Sequence, residues 1–146
     1  MPVPLGFPPE ASVLTPDGPR PLGSIQPGDR VLAVDAEART LAPARVVAVR
    51  EEVADQLVTI ETDGHTVPAA APGTGFYDAF EELFRAAGSL SALSELLVVE
   101  GQALEPRVVL EVPERDAPGA RVLHLVLEAP AHALVVDGVV VRHKEG

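Results

Sequence analysis

Nucleophilic chemistry has few places to start in this sequence. It contains no cysteine, which removes disulfides, thiolate metal sites and a thiol nucleophile, and it contains no asparagine. The hydroxyls nearest the N-terminus, Ser12 and Thr15, lie in a short apolar run ending at a Pro-Asp-Gly turn. Strand alternation and the lack of a matched histidine give them a solvent-facing or turn role rather than a nucleophilic one. Four histidines supply the imidazoles. His65 follows the Asp63-Gly64 turn and reads as an exposed hairpin residue, while His124 alternates within an apolar run and reads as a core or edge residue. His132 and His143 flank Asp137-Gly138, and a two-residue turn there would set them opposite each other. Cross-strand Cβ atoms about 5 Å apart would let both imidazoles reach one metal ion, although a third ligand would have to come from His124 or Glu128. Two ligands make an incomplete metal site, so His132 and His143 are weak metal candidates and no cofactor is expected.

The elements that must position these groups are mostly short strands. Runs such as 30–34 (RVLAV), 45–49 (RVVAV), 56–60 (QLVTI) and 121–127 (RVLHLVL) are rich in β-branched residues and bounded by Gly, Pro and Asp. Turn signals fall at Pro16-Asp17-Gly18, Asp63-Gly64, Glu100-Gly101 and Asp137-Gly138. Asp-Gly favours the type I′ hairpin, in which both central residues take positive φ. The expected body is all-β, a succession of hairpins. One helix is expected at about 79–87, from the capping spacing of Asp78 and Glu81, the stop at Gly88, and Phe76, Phe80 and Phe84 recurring every four residues. At 146 residues, with no repeat or long linker, the chain 1–146 reads as a single domain.

The formal charge is −11, with ten scattered arginines and one lysine, Lys144. Nucleic-acid binding draws on clustered basic residues, so no nucleic-acid partner is expected. No apolar run approaches the roughly 20 residues that span a bilayer, and no signal peptide is legible; the expectation is a cytoplasmic protein without a membrane partner.

Taken together, several stretches resemble the Hint domain, the self-processing module of Hedgehog proteins and inteins, in its bacterial form. Residues 7–35 (FPPEASVLTPDGPRPLGSIQPGDRVLAVD) resemble the first motif region, residues 58–76 (VTIETDGHTVPAAAPGTGF) the second, and residues 127–143 (LEAPAHALVVDGVVVRH) the last. The resemblance implies a horseshoe of β-hairpins and a definite chemistry. A Cys or Ser at the first position attacks the preceding carbonyl, a Thr and a His three residues later polarise that peptide and protonate its leaving nitrogen, and in inteins a terminal Asn cyclises. Carried onto this sequence, the first position falls on Gly6, the threonine on Ala71 and the histidine on Thr74. At the C-terminal end Arg142 and His143, or His143 and Lys144 in the neighbouring register, stand where a His-Asn pair would be, and His132 alone keeps the family residue. Only five residues precede Gly6, so little is expected upstream to release.

The expected function is that of a catalytically degenerate Hint-like domain, not an enzyme, serving as a binding or scaffold module for a protein partner or a second copy of itself. The aromatic stretch Phe76, Tyr77, Phe80, Leu83 and Phe84 is the candidate contact, set against a core role in which each buried phenylalanine contributes roughly 1.5–3 kcal/mol. Two alternatives stay open: a divergent self-cleaving domain using Ser12 or a bound metal, and a histidine-based metal-binding module.

Overall fold

The computed structural model describes residues 4–35, 38–92, 94–100, 103–129, 131 and 133–142. Twelve strands make up nearly all of the regular structure: β1 (Ser12–Thr15), β2 (Gly18–Pro21), β3 (Arg30–Asp35), β4 (Thr40–Thr62), β5 (His65–Ala70), β6 (Gly75–Asp78), β7 (Leu83–Ala86), β8 (Glu95–Glu100), β9 (Ala103–Glu111), β10 (Glu114–Leu127), β11 (Ala133–Val136) and β12 (Val139–Arg142). The all-β expectation holds. The order along the sheet is β2-β1-β11-β3-β4-β9-β8-β12-β6-β7, with β5 and β10 pairing to β4 off that path.

The expected helix at 79–87 is absent. Residues 75–78 and 83–86 instead form the antiparallel pair β6–β7, with Phe76 opposite Arg85 and Tyr77 opposite Phe84. The reason lies in Asp78. Its carboxylate is buried and accepts hydrogen bonds from the Phe80 and Glu95 backbone N–H groups and from Arg85 Nε, at 3.0, 3.2 and 3.2 Å. The same acidic residue that could cap a helix therefore closes a hairpin loop and ties it to β8. Glu82 takes φ +58°, a left-handed conformation that a helix cannot contain. The four-residue spacing of Phe76, Phe80 and Phe84 therefore makes no single stripe: Phe76 packs on Phe7, Phe80 faces solvent, and Phe84 meets Tyr77 edge to face with centroids 5.2 Å apart.

Two of the apolar runs, 45–49 and 56–60, belong to one 23-residue strand, β4. The charged residues between them do not break it, because β10 runs antiparallel along the strand from Glu114 opposite Val58 to Leu127 opposite Val46. On this ribbon polar side chains face water, and Arg121 bonds Glu51 across it. The body is thus less serial than successive hairpins, since β4 and β10 lie far apart in sequence. The expected β1–β2, β4–β5, β8–β9 and β11–β12 hairpins are all present. Among the described residues only Asp137-Gly138 has positive φ at both central positions, +50° and +79°, as type I′ requires.

The main core gathers Val13, Leu22, Val31, Phe76, Leu125 and Leu134 with their neighbours. Strand β11 is buried along its whole length and pairs with β1, β3 and β12, so the C-terminal strands sit inside the sheet rather than at its rim. That placement brings Arg142 beside residues 5–7. Among the described residues no helix is long and apolar enough to cross a membrane.

Candidate functional site

Residues Pro4–Phe7 run over β10 and under the loop between β5 and β6. Phe7 exchanges backbone hydrogen bonds with Leu123, N to O at 2.9 Å and back at 2.8 Å, and its ring meets Phe76 edge to face. This clamp fixes Gly6 one residue upstream, with φ +128°. A Cβ at Gly6 would lie 2.5 Å from Leu123 O, so the backbone itself occupies the direction a side chain would need.

Thr74 and Ala71 close on the same residue. The Gly6 N–H donates to Thr74 Oγ1 at 2.8 Å, and the Thr74 hydroxyl lies 3.0 Å from Gly6 O as donor. The Ala71 N–H donates to Gly6 O at 2.9 Å and the Thr74 N–H to Ala71 O at 3.0 Å, so the Ala-Pro-Gly-Thr turn wraps the Gly6 peptide. Both side chains are buried. The turn Ala71–Thr74 forms because Pro72-Gly73 breaks β5 from β6, and Gly73 N donates back to Pro4 O at 2.8 Å.

A cleft of about 20 Å³ opens beside this peptide, lined by Gly6, Thr74, His124 and Arg142 among mostly aliphatic neighbours. Arg142 lays its guanidinium over the Phe84 ring, 4.4 Å from the centroid. Among the described residues lining the cleft, His124 and Arg142 are the titratable ones, and a guanidinium stays charged and gives up no proton. His124 Nδ1 lies 3.3 Å from Glu52 Oε2 but makes no aligned hydrogen bond. Burial pulls the imidazole below its ordinary pKa, with the Glu52 charge and then the Leu5 backbone acting against that shift and Arg50 acting with it. The sequence reading missed the approach of His124 and Glu52 to this peptide. A histidine alternating with leucines carries no sign that a distant segment crosses over it.

The comparisons with known proteins follow this geometry. No protein-family model matches the sequence, and no curated protein matches it. Solved structures do. A bacterial intein-like domain from Clostridium thermocellum is 22% identical, with 94% of this chain and 98% of that one covered at a TM-score of 0.82. The chain has the intein-like fold. A DnaB intein from Synechocystis sp. PCC 6803 covers 97% of this chain and 100% of its own at TM-score 0.84 and 12% identity. The PabCDC21-1 intein covers 95% and 98% at TM-score 0.82 and 17% identity.

Within this intein-like fold, Gly6, Ala71 and Thr74 meet around one peptide, and Arg142 stands across the cleft. His132, His143 and Lys144 lie outside the described residues, so the paired-imidazole expectation and the C-terminal register fall there too. The turn between them keeps the expected register, Val136 opposite Val139 and Ala133 opposite Arg142. Glu128 pairs with Arg45 at 3.7 Å, and among the described residues no group of three or more His, Asp or Glu is arranged to hold a metal ion.

Other candidates move. His65 is not simply an exposed turn residue: its Nε2–H donates to Asp137 O at 2.6 Å and its ring covers Gly138, where a Cβ would come within 2.9 Å of Cε1. Ser12 gives its backbone N–H to Asp137 Oδ1, and Thr15 is a buried turn residue whose hydroxyl donates to Gly18 O at 2.6 Å. Of the aromatic stretch, Phe76 and Tyr77 are buried, Phe84 is half-buried beneath Arg142, and only Phe80 (68% exposed) and Leu83 (41%) face solvent.

Proposed function

We propose that the chain is an intein-like domain without self-processing activity, acting as a binding or scaffold module. The observation that supports this best is the peptide at Gly6. An acyl shift needs a nucleophilic side chain on that residue and a group to protonate the departing nitrogen. Here Gly6 carries no side chain and Leu123 O fills the space for one, while the Gly6 nitrogen is met by the Thr74 hydroxyl, which does not titrate near neutral pH. Ala71 contributes only its backbone N–H. Ser12 offers no substitute, since it lies on β1 with its backbone tied to Asp137.

For binding, what stays exposed of the aromatic stretch is Phe80 with Leu83 on the β6–β7 hairpin, at the end of the sheet path, and we assign partner contact or self-association to it, in the cytoplasm. Incubation with a thiol or hydroxylamine followed by mass spectrometry tests the loss of activity: the expected result is one unchanged mass, and a thiol-dependent new species would overturn it. Analytical ultracentrifugation of the parent and of Phe80→Ser tests the surface. The expected result is concentration-dependent association in the parent alone.

A further inference from the structure

We propose that His124 is an acid-operated release for residues Pro4–Gly6, which close over it when it is neutral and lift from it when it takes a second proton. The His124 ring is largely covered without matched partners. The side chain of His124 is 12% exposed, and its Nδ1 has no aligned hydrogen bond despite a carboxylate 3.3 Å away. A neutral ring can live with that; an imidazolium holds two N–H donors and a full charge that must be solvated. The groups facing it, among the described residues, are Glu52 and the cross-strand residue Arg50 on β4, and Arg142 on β12 across the cleft. The N-terminal segment adds the apolar side chains of Leu5 and Phe7 and the Leu5 backbone, which favours the imidazolium but is outweighed by the burial the same segment imposes. One carboxylate, itself 34% exposed, set against the neighbouring Arg50 charge does not replace the lost water.

Proton binding must therefore favour whichever arrangement admits water to the ring. This agrees with the direction of the imidazole's shift, which is downward and dominated by burial. The hinge follows from the hydrogen bonds. Phe7 is held in the core by Leu123 and Phe76, whereas Pro4–Gly6 is held by the Gly6 N–H to Thr74, the Ala71 N–H to Gly6 O and the Gly73 N–H to Pro4 O. Release would free the amides of Gly6, Ala71 and Gly73 and leave those of Phe7 and Leu123 protected.

Residue-resolved hydrogen exchange by NMR on the full chain, corrected for the intrinsic pH dependence of exchange, reads this pattern. Between neutral pH and about pH 5, the Gly6, Ala71 and Gly73 amides should lose protection by on the order of tenfold while Phe7 and Leu123 hold theirs. His124→Gln should remove the pH dependence. Glu52→Gln, which takes away the one favourable charge, should move the release to less acidic pH if the ring is driven out by its own solvation. Unchanged or increased protection of the three amides on acidification would overturn the proposal, as would equal loss at Phe7 and Leu123, or the same pH dependence in His124→Gln.

Discussion

At the scale of single residues, Gly6 carries the proposed loss of self-processing through its backbone as much as through its missing side chain. Substituting Gly6→Ala places a Cβ 2.5 Å from Leu123 O at φ +128°, so either the Phe7–Leu123 clamp or the local backbone must give way. The expected loss is about 2–4 kcal/mol, read by urea denaturation. For the same reason the combined change Gly6→Cys, Ala71→Thr and Thr74→His, which restores the side chains implied by the family resemblance, is expected to yield no thiol-cleavable linkage. Thr74→Val keeps the shape of the side chain but leaves the Gly6 N–H unpaired in a buried place, at an expected cost of about 1–3 kcal/mol in the same measurement. The resemblance to the Hint motif regions made Gly6, Ala71 and Thr74 legible as a group. The left-handed backbone of Gly6 and its collision with Leu123 were not legible, since both arise from contacts across more than a hundred positions.

At the scale of elements, the strands were readable where β-branched runs were bounded by Gly, Pro or Asp, as in 30–34 on β3 and 121–127 on β10. The helix was misread because local spacing is ambiguous: Asp78 and Glu81 satisfy a capping pattern, and only the pairing with β8 turns Asp78 into the hub of a hairpin. Asp78→Ala should accordingly destabilise the protein by about 2–3 kcal/mol, because two backbone N–H groups and Arg85 lose their acceptor together. The fusion of two apolar runs into β4 was equally hidden. It depends on β10, whose partnership is set by tertiary structure rather than by any signal in the charged stretch between the runs.

Across the whole molecule, pH reports on two half-buried groups with opposite signs. His124 is held below its ordinary pKa mainly by burial, so the unfolded chain binds its proton first as pH drops. The contribution of the neutral ring is fully present above about pH 6.5 and is lost as pH falls through the folded pKa. Asp137 is held above its ordinary value, again mainly by burial and against the Ser12 N–H, so its contribution is present at low pH and lost as pH rises through the folded pKa. Thermal unfolding across pH should show a shallower acid-side decline for His124→Gln than for the parent. Asp137→Asn, which keeps a side-chain oxygen for Ser12 and tolerates the left-handed turn, should be as stable as the parent in acid and more stable above neutrality. The most direct measurement of the central claim is the intact mass of the chain carrying folded tags at both ends, followed over days with and without thiol. The account predicts a single undiminished mass under every condition, and cleavage on the N-terminal side of Gly6 or near the C-terminus would contradict it.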